Sequence, residues 1–200
     1  MRPANHVQRE ARYNALLDAG ARCIAEHGYM ATRTADICLI AQMSAGNLFH
    51  YFPSKQALLL ALIAREGQQI QQEMEHLLQE QQPLEALMGF LLHLCQLAED
   101  PHYTGLALEI AALSHRDPQV CKLARHNDLL LREGLAALVR QANDLGLVRP
   151  GLCAEQIANW LAVMIDGLFA RVAVDPQFAP QTQGPVLQEL ALHLLQGNRT

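Results

Sequence analysis

The chain has 200 residues, half of them apolar but only 5% aromatic, and a formal net charge of −5. That is enough apolar material for one or two compact cores, and the dominance of Leu and Ala over aromatic residues favours helices over sheet. No run approaches the roughly 20 apolar residues that span a bilayer, and the opening MRPANHVQREAR lacks the apolar core of a signal peptide. The charge divides unevenly: residues 1–70 carry seven Lys or Arg against five Asp or Glu, and residues 71–200 carry eight against fifteen. A nucleic-acid surface therefore belongs to the front of the chain. The five cysteines (Cys23, Cys38, Cys95, Cys121, Cys153) are odd in number and form no CxxC. They read as reduced thiols of a cytoplasmic protein, with redox sensing as the alternative.

The first predicted helix runs from about Val7 to His27, with Ala15, Leu16, Ala19, Cys23 and Ile24 on one face and Gly28 as a left-handed cap. The positive charges at Arg2, Arg9 and Arg12 lie at or before it, either as an arm on DNA or as a solvated terminus. The stretch from Arg33 to Phe52, RTADICLIAQMSAGNLFHYF, then reads as two short helices joined at Gln42-Met43 and closed by Pro53. Thr32 is the expected cap of the first, whose inner face is Ala35, Ile37, Cys38 and Ala41; Ser44 caps the second. Leu48, Phe49 and Phe52 recur at helical spacing and are expected to dock the second helix, leaving Ala45, Gly46, Asn47, His50 and Tyr51 outward. A short helix with small polar residues at its N-terminal end suits the DNA major groove.

These residues resemble the helix-turn-helix of the TetR family of bacterial transcriptional regulators, and the likeness extends through about the first 70 residues. It is carried by Gly28, Thr32, Asp36, Ile37, Ala41, Ser44, Gly46, Leu48, Tyr51, Phe52, Lys55 and Leu58. Gln42 departs from the family's usual Gly in the turn, and Phe49 from its usual Tyr. The resemblance implies phosphate contacts from Thr32, Arg33, His50, Tyr51 and Lys55. Base-facing residues are Ala45, Gly46 and Asn47, with Leu48 against a thymine methyl; Asn pairs bidentately with adenine. Lys55 also lies in the first turn of the fourth helix, where a cation is unfavourable for the helix dipole, so a phosphate partner explains it better.

The fourth helix starts at Ser54, turns polar after Ile70 and stops by Pro83. Predicted helices follow over residues 84–99, 103–114, 118–145, 153–174 and 186–196, with DPQFAPQTQGP as a loop before the last. The reading is an all-α fold of about nine helices. It divides into an arm (1–9), a three-helix DNA-binding head (10–70, motif 33–52) and a helical effector-binding and dimerisation domain (71–200).

Two apolar stripes end the chain: Ile157, Leu161, Met164, Ile165, Leu168, Phe169 and Val172, then Leu187, Leu190, Ala191 and Leu194. They serve either the domain's own core or a four-helix interface with a second copy. The TetR resemblance implies the interface: Ile157, Leu161, Ile165, Leu168, Phe169, Val172, Leu187, Leu190 and Leu194. Two heads on a twofold axis read a palindrome with half-sites a helical turn, ~34 Å, or more apart. LAVMIDGLFARVAVDP also resembles the choline-responsive repressor subgroup of the family.

Candidates to line a small-molecule pocket are Phe90, His93, Leu94, Tyr103, Leu106, Glu109, Ile110, Arg125, Trp160 and Met164. Trp160 fits core or dimer packing as well as ligand contact. Glu109, alone among apolar neighbours, needs a partner: a cationic ligand, or Arg125, Arg171 or a His.

Catalysis finds no support. Glu73 and His76 give one ExxH, but di-iron bundles need a second, and Glu99–His102 runs through Pro101. There is no HExxH or Gly-rich phosphate loop, hence no metal or cofactor expected. The expected function is a cytoplasmic homodimeric regulator that binds palindromic double-stranded DNA and is released by a small-molecule effector, with no membrane partner. The alternative is a structural or nucleoid-associated DNA-binding protein without a ligand switch.

Overall fold

The computed structural model describes residues 3–149 and 151–196. Among them are nine helices and no strand: α1 (Pro3–Ala31), α2 (Thr34–Ile40), α3 (Ala45–Tyr51), α4 (Lys55–Leu77), α5 (Pro83–Leu97), α6 (Pro101–Ser114), α7 (Pro118–Asp144), α8 (Ala154–Val174) and α9 (Pro180–Gln196). Arg2, expected in the arm, lies outside the described residues. Helix α1 begins at Pro3 rather than Val7.

The chain forms two compact units. The first comprises the residues up to Arg65 together with Gly105–Ala124; the second comprises Glu66–Thr104 and the residues from Arg125 onward. Helices α4, α6 and α7 each contribute to both.

In the first unit, Leu16, Leu17 and Ile24 of α1, Ile37 of α2, Leu48 of α3 and Leu58, Leu59 and Ile63 of α4 are almost wholly buried together. Ile110 of α6 and Val120 of α7 join the same core. Helix α1 is broken at Gly28, whose φ of 75° and ψ of 158° lie in a region that only glycine enters cheaply. It is a positive-φ stop, but not the left-handed cap expected. Past the break, the Thr32 hydroxyl donates to the carbonyls of Cys23 (3.0 Å) and Gly28 (2.8 Å), tying the chain back onto α1.

In the second unit, Met74 and Leu77 of α4 pack with Leu87, Phe90, Leu91 and Leu94 of α5, Leu135, Leu138 and Val139 of α7, and the inner faces of α8 and α9. Helix α9 starts six residues earlier than the sequence predicts, with Pro180 opening it and Pro185 inside it. Pro185 forfeits one helical hydrogen bond. Burial of Leu187, Ala191 and Leu195 and a hydrogen bond from Gln188 Nε2 to the Met88 carbonyl (3.0 Å) hold the helix to α5. By length and composition alone α8 is long and apolar enough to cross a bilayer, although Asp166 and Arg171 interrupt its apolar run. Its apolar residues are divided between a core-facing and an outward side.

Candidate functional site

The turn before the outward helix is closed from α2. The N–H of Gln42 donates to the Leu39 carbonyl (3.2 Å) and that of Met43 to the Cys38 carbonyl (2.9 Å). This closure needs a left-handed residue at 42, and Gln42 takes it at φ 53°. The departure from glycine costs about 1 kcal/mol. Ser44 then caps α3, its Oγ accepting from the N–H of Asn47 at 3.2 Å. Leu48 (0% exposed) and Phe52 (3%) anchor α3 in the core. Ser44, Ala45, Gly46, Asn47, Phe49 and His50 are exposed; Tyr51 is half-buried.

Several expectations are corrected here. Leu48 cannot meet a thymine methyl, because it is a core anchor. Phe49 does not dock the helix; at 49% exposed it stands outward, four residues after Ala45 and three after Gly46. Ala35 of α2 is exposed, so the inner face is Ile37 and Cys38, with Ala41 half-buried. Arg33, not Thr32, precedes α2, and it makes no side-chain cap. Thr32 is 2% exposed with its hydroxyl directed inward, which removes it from a phosphate surface. Arg33 itself is exposed.

Lys55 has an internal role that the sequence did not suggest. Its Nζ donates to the carbonyls of Tyr29 (2.6 Å), Thr32 (2.8 Å) and Met30 (3.3 Å), and lies 4.5 Å from the centroid of the Tyr29 ring. An ammonium has three protons, and three carbonyls occupy them. The three carbonyls that follow the break at Gly28 account for the cation without a phosphate partner.

Beside α3 the first turns of α1 complete a cleft of about 290 Å³ lined by His6, Arg9, Glu10, Tyr13, His50 and Tyr51. His6 Nδ1 is 3.7 Å from Glu10 Oε2. The Tyr51 ring meets His50 and Tyr13 edge-on, at 5.2 and 6.2 Å between centroids. His6 and Tyr13 escaped the sequence reading; their signal is the i, i+3, i+4 run of His6, Arg9, Glu10 and Tyr13 along one helical face.

The ligand candidates do not converge. Phe90, Leu94, Tyr103 and Met164 pack in or against the second unit's core, whereas Leu106 and Ile110 pack in the first unit's. His93, Arg125 and Trp160 are exposed. Glu109 finds an internal partner, none of those considered: its Oε1 accepts from the backbone N–H of Tyr29 at 2.7 Å.

The expected dimer stripe is also corrected. Ile157, Leu161, Ile165, Leu168, Phe169 and Leu187 are buried in the chain's own core, and Val172 and Leu194 pack partly against it. They form the inward sides of α8 and α9. Only Leu190, 54% exposed, is open. The outward apolar residues are Trp160 (57% exposed), Val163 and Val174 on α8 and Val186 with Leu190 on α9. With Gly167 and Ala170, the α8 residues repeat every three or four positions, a continuous helical stripe.

Cys23, Cys38 and Cys95 are buried, and burial pushes their thiols up, away from the reactive thiolate. No group of three or more metal-ligating side chains occurs among the described residues.

Two family models match the chain. One, for bacterial regulatory proteins of the tetR family, covers residues 16–62; the other, the C-terminal region of BetI-type transcriptional repressors, covers residues 83–196. The HTH-type transcriptional repressor Rv1474c of Mycobacterium tuberculosis is 26% identical over 169 residues, 84% of this chain and 86% of the relative. Among solved structures, the SmeT–triclosan complex, from Stenotrophomonas maltophilia, matches with a TM-score of 0.78 and 22% identity over 91% of this chain and 90% of that one. A transcriptional regulator of Saccharomonospora viridis in complex with choline matches with a TM-score of 0.77 and 22% identity, over 92% and 96% of the two chains. At these identities the two structures establish the fold.

Proposed function

The chain belongs to the TetR family of bacterial transcriptional regulators, with a BetI-type C-terminal region, and from this we propose that it is a homodimeric, cytoplasmic repressor released from a palindromic operator by a small-molecule effector. It is a regulator and not an enzyme. The observation that carries the DNA reading is the outer surface of α3. Ala45, Gly46 and Asn47 stand exposed on a Ser44-capped helix whose opposite side is anchored by Leu48 and Phe52. Small residues let the helix approach base edges, and Asn47 supplies an amide that pairs with adenine. His50, Tyr51, His6 and Arg9 line the cleft beside this surface, and with the exposed Arg33 they make the proposed phosphate-facing set.

The outward stripe of α8 and α9 supports dimerisation. Trp160, Val163, Val174, Val186 and Leu190 leave an apolar face open that a second copy's matching face would cover. Helix α4 is continuous from Lys55 to Leu77, so it links the DNA-binding residues covalently to the effector-binding region. Effector binding that displaces α4 changes the separation of the two heads, and both half-sites can then no longer be engaged together.

The test is fluorescence anisotropy with DNA upstream of the protein's own gene, against a scrambled duplex, across a salt series. A preference of about 10³ or more supports an operator-specific regulator. Equal, steeply salt-dependent binding to both duplexes, with no ligand effect, would favour an architectural DNA-binding protein instead.

A further inference from the structure

Two neighbouring residues of α3 carry large apolar side chains with opposite fates. Leu48 is fully buried in the core, whereas Phe49 is 49% exposed. Side chains of a helix lean toward its N-terminus, so the Phe49 ring leans over the turn that holds Ala45 and Gly46, four and three residues before it. Both are exposed, and neither carries more than a methyl group. A Cβ at Gly46 would meet nothing nearer than the Ser44 Oγ, at 3.8 Å. The ground beside the ring is therefore open.

The ring–ring contacts of this unit join Tyr13 to Tyr51 and Phe52, and His50 to Tyr51. Among the described residues none engages Phe49. Packing inside the chain thus accounts for Leu48 and leaves Phe49 without a role.

A single exposed apolar residue needs no explanation by itself. This one stands beside Ala45, Gly46 and Asn47, on the surface that carries the DNA reading, and its chemistry narrows what it can meet there. A phenyl ring has neither donor nor acceptor for a phosphate oxygen or for the polar atoms of a base edge. The apolar feature of the major groove is the C5-methyl group of thymine. Residues turn by about 100° along a helix, so Phe49 and Asn47 diverge by about 200° and address different base pairs.

We propose that Phe49 is a specificity-determining residue, which packs on the C5-methyl group of one thymine in each half-site, at a base pair other than the one Asn47 reads. The contact expected of Leu48 passes to the next residue, because the core has claimed Leu48. This rests on the reading of α3 as the DNA-facing helix of a dimeric regulator.

The test deletes the methyl group alone. The full-length protein first selects sites from a pool of duplexes with a random core. The enriched duplex is then remade with deoxyuridine in place of thymine, one symmetric pair of positions at a time. Deoxyuridine keeps every polar atom of the base edge and lacks the methyl. For wild type, one such pair is expected to weaken binding by about fourfold per half-site, the scale of one buried methylene. Phe49→Ala should bind the thymine and deoxyuridine duplexes equally at that pair, while other positions keep their wild-type sensitivity. Phe49→Leu, with a smaller apolar face, should reduce the difference without abolishing it. Asn47→Ala should leave the difference in place and act at another base pair. Thermal unfolding close to wild type verifies that each variant is folded, as expected for residues outside the core.

A thymine–deoxyuridine difference that survives unchanged in both Phe49 variants overturns the proposal and leaves the operator reading standing. So does an enriched site in which no thymine is sensitive to loss of its methyl. A pool that wild type fails to enrich overturns the operator reading, and the proposal with it.

Discussion

Lys55 Nζ sits 2.6 Å from the carbonyl oxygen of Tyr29 and 4.5 Å from the centroid of the same residue's ring. From the other side, Glu109 accepts from the Tyr29 N–H. The segment that leads from the Gly28 break into α2 is thus clamped by a cation on its carbonyls and an anion on an amide, each a charge-assisted hydrogen bond. This segment sets where α2 begins, and α2 in turn carries α3.

Removing the cation should therefore cost stability before it costs DNA contact. Lys55→Met is expected to lower the unfolding free energy by about 2 kcal/mol, the scale of hydrogen bonds to a charged group. Equilibrium denaturation measures it. The salt dependence of DNA binding should stay within about half a unit of the wild-type slope; a fall of about one unit would mean that Lys55 neutralises a phosphate after all.

The exposed residues of α3 and α2 should divide by type of contact. Asn47→Ala is expected to relax the preference at one base pair by about 1–3 kcal/mol, read by competition with operator variants. Arg33→Gln should weaken binding to every sequence and lower the salt slope by about one. If Arg33→Gln altered base preference and Asn47→Ala did not, α3 would be docked on the DNA by a different face.

Trp160 and Leu161 are adjacent in α8 and should behave oppositely. Trp160→Glu is expected to leave the protein folded but shift it to monomers in sedimentation velocity, because Trp160 stands outward. Leu161→Ala, at 0% exposed, should destabilise the fold by about 2–5 kcal/mol in denaturant unfolding, through the cavity it leaves. A fully dimeric Trp160→Glu would place the interface elsewhere.

Glu66 gives a pH dependence whose sign is unusual for a carboxylate. Its folded-state pKa is raised by burial, so the folded protein holds that proton more tightly than the unfolded chain. The associated stability is complete below the ordinary glutamate range, about 4.3, and is lost as pH rises through the raised value. Glu66→Gln should therefore melt higher than wild type at pH 8 without ligand, the difference closing as pH falls toward 4. A difference that grew on acidification would mean the carboxylate has a favourable partner.

The pair of short helices α2 and α3 was legible because its signals are local. Ser44 before Ala45-Gly46-Asn47 is a cap wherever it occurs, Pro53 ends a helix by its own ring, and Gly28 marks a backbone conformation other residues avoid. Helical periodicity likewise brought out α4 through α8.

Periodicity alone could not say what covers an apolar stripe. On α8 the stronger stripe, Ile157 to Phe169, was claimed by α5 and α9 of the same chain, and the weaker one, Trp160 to Val174, was left outside. Long-range partners also decided the roles of polar residues. Lys55 reached back 26 residues to Tyr29, Glu109 reached back 80 to the same residue, and Thr32 turned inward to α1. Helix α9 began at Pro180 despite two prolines, because packing on α5 outweighed local propensity. Backbone preference and capping act within a few residues and were written in the chain; desolvation and charge pairing depend on which surfaces meet, and only the tertiary structure decided those.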